Sequence, residues 1–485
     1  MNTFAQAVTR EAADTQNVGF TANGAATLLS SKDEFTDLFA VIGSSRKTPA
    51  NAVAQFRKCY AIDRQLALRI MLWARDARGG AGERNIFRLC VDTLSVADKL
   101  ALIASAKIEE LGRWDDYIGL MMDKDDRVAR AAAARVLGAI KSGNGLAAKW
   151  MPRKGAEAAR IRSLFGLAPK LYRKMLVEGT RVVETQMCAK NWEAITYEHV
   201  PSVAMARYSR AFARNSLVSF PAYKAALEAG AVKAKAAALF PYDVARTLKG
   251  GDTTIANEQW KALPNYIDSK AKLFPIIDVS GSMTCQLTGT ITAMDVAITL
   301  GLYIAERQNS ALKDLFMTFD DKPAMVSVRA CKTFAERYRT IKDAPWGGTT
   351  NLQASFELLL KTAVDNRVAP EDMPEYLFIV SDMEFNVACG NETGFYRARR
   401  SETNYAELER KYQASGYRRP NVIFWNVNAR GGNIQVEADQ NGTAMISGFS
   451  PSILRPLLNA EQVSPRLIME AAVMVPRYTV EGLTA

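Results

Sequence analysis

From about residue 25 to residue 250, apolar positions recur at i, i+3, i+4 and i+7. The stretches AVAQFRKCYAI, RQLALRIMLWARDAR, NIFRLCVDTLSV, ADKLALIASAKIEELG, RVARAAAARVLGAIKSG and AARIRSLFGL each predict an amphipathic helix. The breaks between them, RGGAGER, LGRWDDY and KSGNG, are rich in Gly and Asp. Helix pairs recur every 35 to 45 residues without a strict sequence repeat. Units of that size stack into an α-solenoid of HEAT-like repeats, and a compact helical bundle fits the same periodicity.

The pattern changes near residues 265–275. KLFPII, KDLFMTF, AMVSVR, EYLFIV and NVIFWNV are apolar runs of strand length. Helical stretches separate them: TITAMDVAITLGLYIAERQ, CKTFAERYRTIK, NLQASFELLLKTAV and NYAELERKYQASG. Strands alternating with helices imply right-handed crossovers and a doubly wound, mostly parallel sheet covered on both faces. The chain therefore reads as multidomain, α followed by α/β, with residues 1–270 helical and 271–485 built on the sheet. The tail after about residue 460 reads as helical and then extended.

Composition narrows the function classes. Six cysteines are scattered through 485 residues without a C-x-x-C, and His199 is the single histidine. A zinc site, a histidine-based triad and a disulfide framework are therefore not expected. The first residues, MNTFAQAVTREAAD, carry no apolar signal core, and no run of 18 apolar residues occurs. These features predict a cytoplasmic, reduced protein with no membrane partner.

The net charge of +11 is unevenly divided. Residues 1–270 carry 40 Lys and Arg against 27 Asp and Glu, whereas residues 271–485 carry 22 against 24. Within 151–250 the balance is 17 to 7. A basic half beside a neutral half points to a polyanion-binding surface confined to the first.

Ligands of open parallel sheets sit beyond the carboxyl ends of the strands. Three polar loops are predicted there: DVSGSM after FPII, WGGTTNL before a helix, and SDMEF after EYLFIV. Together they offer two carboxylates and several hydroxyls, with no nitrogen or sulfur donor. Such a hard oxygen set suits Mg²⁺ or another divalent cation. Magnesium-assisted phosphoryl transfer is the enzymatic alternative. However, GGTTNL lacks the lysine of a phosphate-binding loop, RGGAGER lacks both G-x-G-x-x-G and a terminal Gly-Lys-Ser/Thr, and no general base or nucleophile motif is visible. No enzymatic activity is expected.

In the helical half, RDARGGAGER gathers Arg75, Arg78, Arg84 and, just beyond, Arg88 around a Gly-rich break. These arginines face phosphates in one reading. In the other, Arg75–Asp76 and Glu83–Arg84 form structural ion pairs. KWMPRKGAEAARIR carries Lys149, Arg153, Lys154, Arg160 and Arg162, and KLYRKML adds Lys170, Arg173 and Lys174. HVPSVAMARYSRAFARN places Arg207, Arg210 and Arg214 at i, i+3 and i+7, with Tyr208 and Phe212 nearby. Guanidinium forks bind phosphate and aromatic faces stack unpaired bases, so these stretches are candidates for contacting RNA. Tyr208 and Phe212 also fit core positions.

The three sheet loops in order resemble the metal-ion-dependent adhesion site of von Willebrand factor A domains: D-x-S-x-S, a distal Thr and a distal Asp. That resemblance implies Asp278, Ser280, Ser282, Thr349 and Asp382 as metal ligands, with Thr350 competing for the threonine role. It also implies that a partner's acid can complete the metal shell. A basic helical half followed by such a domain resembles the Ro ribonucleoprotein (TROVE) family. A Ro-like family of uncharacterised function is similar in wording as well: TANGAATLLSSKDEFTDLF, RDARGGAGER, GRWDD, KWMPR, YRKML and YEHVPSVAMARY span nearly the whole chain. The resemblance implies a ring of helical repeats closed by the sheet domain, binding small structured non-coding RNA and the ends of misfolded RNA. The family's base-contacting residues do not carry over, because Ro helices are richer in histidine-bearing stretches. The alternative is a metal-dependent adhesion or assembly factor that meets acidic proteins.

Overall fold

Several helices in the first half start where a short polar side chain caps them. Asp33, Asp63, Ser95, Asp125 and Asn144 accept first-turn backbone N–H groups of Glu34–Ile42, Arg64–Arg75, Val96–Ala104, Asp126–Lys141 and Gly145–Trp150. A computed structural model describes residues 16–319, 322–343, 351–386, 404–430 and 432–481. The one helix expected over ADKLALIASAKIEELG is broken: Val96–Ala104 ends, Ala106 turns left-handed at φ 60°, and Lys107–Leu111 begins. The Ser105 hydroxyl donates back to the Leu102 carbonyl, giving the backbone an alternative to continuing the helix. Each helix packs mainly on neighbours close in sequence, as in a stack of short helix pairs. Residues 195–255 enclose a separate small core around Phe212, Phe220 and Tyr197.

The second half is a six-stranded mixed sheet flanked by helices. Its strands are β1 (Leu273–Asp278), β2 (Leu315–Phe319), β3 (Ala324–Ser327), β4 (Tyr376–Ser381), β5 (Asn421–Asn426) and β6 (Thr443–Ser447). The spatial order is β6-β5-β4-β1-β2-β3, parallel throughout except for the antiparallel edge strand β3. Alternate residues of the central strands enter different cores. Phe274, Ile276, Leu377, Ile379, Val422 and Phe424 face the helices Leu352–Asp365 and Asn404–Ser415. Leu273, Ile277, Phe378, Val380, Ile423 and Trp425 face the other way, toward Ala293–Arg307. Both faces are thus covered, which is why these runs read as almost continuously apolar.

The two ends of the chain cross over. A hairpin formed by Val18–Phe20 and Ala26–Leu28 lies on the sheet half, where Leu28 bridges Ile434. The helix Glu34–Ile42 packs on β6, whose Ser447 hydroxyl donates to Phe39 O and accepts from the Gly43 N–H. A Cβ on Gly43 would come 2.5 Å from Ser447 O, so only glycine allows this approach. In return, the helix Pro465–Val473 packs on Glu34–Ile42 and Arg64–Arg75. One hydrophobic core therefore runs from Phe39 and Trp73 through Ile446, Phe449 and Ile468.

A candidate cation site and a basic helical face

β1 and β4 are adjacent and parallel, with Ile277 opposite Val380, so their carboxyl ends emerge together. That register brings Asp278 and Asp382 side by side, and both carboxylates are buried. The Ser280 N–H donates to Asp278 Oδ1 (2.9 Å), and the Ser381 hydroxyl donates to Asp278 Oδ2. Ser280 and Ser282 place their hydroxyls 3.1 Å apart. Asp382 Oδ1 accepts the Glu384 N–H at 3.3 Å, while Oδ2 is buried without a hydrogen bond. Its nearest cation is the half-exposed Arg430, whose Nε lies 3.5 Å away and whose Nη2 donates to Ser282 O.

Burial and the charge of Asp382 push the Asp278 carboxyl up to about 7. Burial also raises Asp382, although the Ser282 hydroxyl and the Arg430 guanidinium draw it back down. Two buried acids that repel each other, met only by one half-exposed arginine 3.5 Å from an Asp382 oxygen that has no hydrogen bond, form a site short of positive charge. The residues present fit a hard divalent cation: both carboxylates and the Ser280 and Ser282 hydroxyls are oxygen donors around one point. Thr349, with its neighbour Thr350, lies outside the described residues. Among the described residues no cluster of three or more His, Cys, Asp or Glu is arranged for a metal, so any cation here would rely on two carboxylates and hydroxyls.

On the helical half, Arg153, Lys154, Lys170, Arg173 and Lys174 are exposed, as are Arg207, Arg210 and Arg214 on one stripe of Ser202–Asn215. Arg162 is half-buried. Lys149 and Arg160 are only partly exposed, and each is paired with an acid from another helix. Lys149 pairs with Glu184 and Arg160 with Asp126 (2.8 Å). Glu184 also accepts from the Tyr208 hydroxyl (3.1 Å), so one acid ties Gly145–Trp150 to Ser202–Asn215. Phe212 is fully buried against Tyr197 and Phe220, a core position.

The RDARGGAGER acids do pair, but not with their neighbours. Asp76 binds Arg477 and Glu83 binds Arg46. Adjacent side chains at a helix end point apart, which excludes Arg75–Asp76 and Glu83–Arg84. Arg75 is buried instead in a two-pronged bond to Asp116 (2.8 and 2.6 Å), and Arg88 joins Asp115 and Asp116. The GRWDD acids are thus the partners of this motif, and Arg75 is not free to meet phosphate.

Two family models match the chain. One is a domain of unknown function (DUF2828) over residues 94–273, and the other a domain of unknown function (DUF7788) over 273–474. The matched spans meet at the first residue of β1. An uncharacterised protein of Acanthamoeba polyphaga mimivirus is 26% identical over 93% of this chain and 86% of its own length. The crystal structure of the Deinococcus radiodurans RO (RSR) protein aligns over 90% of this chain and 87% of its own, with 15% identity and a TM-score of 0.38. A likeness at that TM-score carries no argument about this chain. Among the described residues no helix is long and apolar enough to cross a membrane.

Ser381 and Arg430 escaped the sequence reading. Ser381 is the last residue of β4 and orients Asp278. Arg430 follows β5, which neighbours β4. In a parallel sheet the loop after the next strand faces the same end, and that rule, applied to NARGG, would have found it.

Proposed function

We propose that this chain is a non-enzymatic, Ro-like RNA-binding scaffold. Its basic helical surface holds small structured or misfolded RNA, and its sheet half carries a divalent-cation site for closure or partner binding. The observation that supports the RNA reading is the stripe Arg207, Arg210 and Arg214, exposed on a half that carries all of the excess positive charge. Lys170, Arg173 and Lys174 add a second exposed group on Pro169–Gly179. The resemblance of the ordered motifs to the Ro-like family supports the same reading.

At the strand ends, Asp278, Ser280, Ser282 and Asp382 would hold Mg²⁺ or another divalent cation. A bound ion would supply positive charge and a coordination position for an acidic group. The chain's own residues then orient: Ser381 fixes Asp278, and Arg430 lines the approach to Asp382. Asp382 Oδ2, buried without a hydrogen bond and faced by Arg430 at 3.5 Å, is also the specific observation behind a second reading, a metal-dependent assembly factor without physiological RNA.

Salt and chelator separate the two. RNA held through phosphates loses affinity steeply with salt, each contact adding about 0.7 to 0.9 to the log–log slope, and is indifferent to EDTA. A protein partner held through the metal is released by EDTA and by Asp278→Asn. Crosslinking followed by sequencing of bound RNA identifies the ligand. If purified protein retains no RNA and no small RNA binds below micromolar at physiological salt, the RNA reading fails.

A further inference from the structure

The stretch TANGA, Thr21–Ala25, forms a turn closed on itself. The Thr21 N–H donates to Ala25 O (2.9 Å), the Gly24 N–H to Thr21 O (3.0 Å) and the Ala25 N–H to the Thr21 hydroxyl (3.0 Å). This turn lies against the loop Ser381–Asn386, far along the chain. The Thr21 hydroxyl donates to Phe385 O (2.6 Å), and the Asn23 amide donates to Glu384 O (2.5 Å). The Ala22 N–H donates to Glu384 Oε2 (2.7 Å), whose other oxygen accepts from Asn433 (3.0 Å). Gly24 bridges Asn386, and Ala25 is buried in the core that holds Met383 and Phe385.

The loop so gripped is strained. Met383, between Asp382 and Glu384, is buried at φ 63°, a left-handed conformation that a long side chain adopts only when its surroundings enforce it. From the inside, the Ser381 hydroxyl binds both Asp278 and the Met383 N–H (3.0 Å). From the outside, the enforcing contacts named above come from the TANGA turn and Asn433. Asp382 sits between these two grips, with one oxygen lacking a hydrogen bond and facing Arg430 Nε at 3.5 Å.

We infer that the Thr21–Ala25 turn is a positioning element of the cation site, so that docking of the turn and binding of the ion at Asp382 reinforce each other. This rests on the proposed cation site. Groups behind a ligand that fix its orientation typically change metal affinity by about 10- to 100-fold when removed. Coupling of this kind is reciprocal.

Thr21→Val keeps the shape and removes the hydroxyl, Thr21→Ser keeps the hydroxyl, and Glu384→Gln sets an NH₂ against one of two N–H donors. Mg²⁺ alone is titrated calorimetrically into each full-length variant. Thr21→Val and Glu384→Gln are expected to weaken Mg²⁺ binding by at least about tenfold, and Thr21→Ser to retain it. In the reverse direction, Mg²⁺ should slow hydrogen exchange of the Ala22 and Ala25 amides in the unsubstituted protein and not in Asp278→Asn. A merely structural turn would show neither the exchange effect nor the rescue by serine. If the unsubstituted protein binds Mg²⁺ and the variants bind it equally well, the positioning role is overturned and the cation site stands. If the unsubstituted protein binds no divalent cation, both are overturned. Should Thr21→Val fail to fold, the Mg²⁺-dependent exchange in the unsubstituted chain still decides, and its absence overturns the coupling.

Discussion

Replacing Arg477 by Met should loosen the C-terminal segment from the helical half. The Asp76 carboxylate is fully buried and takes two bonds from Arg477, through Nε and Nη2. It also accepts from the Tyr478 hydroxyl (3.0 Å) and the Arg78 N–H (2.9 Å). Removing one member of a fully buried pair costs about 3–5 kcal/mol. Arg477 is 35% exposed, so water can reach the vacated side of Asp76 and the cost falls to about 2–3 kcal/mol. At about 1.4 kcal/mol per tenfold, exchange protection of the Tyr478 and Thr479 amides, both hydrogen-bonded in the last turn, should drop by roughly 30- to 150-fold. The pH dependence has a definite sign. Burial alone would raise the Asp76 pKa, but the Arg477 hydrogen bonds hold it below the ordinary 3.8. The contribution is therefore complete above about 3.8 and is lost as pH falls through the lower folded value. Hydrogen exchange compared at pH 6 and pH 8 should show the same difference between the two proteins. Adding Asp76→Asn to the variant should cost less than the sum of the two single changes, because the second change removes the stranded charge. A protection loss under about threefold, or strict additivity, would refute the reasoning.

Other consequences are checked more simply. Asp278→Asn should abolish calorimetric Mg²⁺ binding yet raise the melting temperature of EDTA-treated protein at pH 8, since one of two mutually repelling buried carboxylates is gone. Reversing Arg207, Arg210 and Arg214 to Glu should weaken RNA binding at all sequences and reduce the salt slope by about 2–3, measured by filter binding at several salt concentrations. Gly80→Ala would set a Cβ 1.8 Å from the Trp73 carbonyl, and thermal unfolding should show a loss of more than about 1–3 kcal/mol. Separating the chain at residue 270 should leave two aggregation-prone pieces by light scattering, because one core spans both halves.

Elements with a local signal were legible: the amphipathic helices, and β1 to β5 as short apolar runs. β6 was not. TAMIS offers only three apolar residues between glycines, and it is a strand because β5 and the helix Glu34–Ile42 flank it. The hairpin over residues 18–28 escaped for the same reason, since its partner Ile434 is distant. At the candidate site, the D-x-S-x-S rhythm and SDMEF carried their own chemistry, whereas Ser381 and Arg430 matter only through neighbouring strands.

The same distinction sorts the polar motifs of the first half. RDARGGAGER gathers arginines around a Gly-rich break, which in one reading made it a phosphate-binding loop, whereas TANGA entered only as a word of the family resemblance. The TANGA turn is held by Glu384 and Phe385 and the Asp76 of RDARGGAGER by Arg477 and Tyr478, segments hundreds of residues away, while Glu83 is held by Arg46. A buried charge or a left-handed residue in a short motif signals an obligatory partner, and the partner can be the other end of the chain. Of the basic candidates, those that stay exposed are Arg153 and Lys154 before Gly155–Leu164, Lys170, Arg173 and Lys174 (the last beside Glu178), and the stripe Arg207, Arg210 and Arg214. The most conspicuous arginine motif therefore holds the molecule together, and the plainer helical stripe is the surface on which RNA binding should be sought.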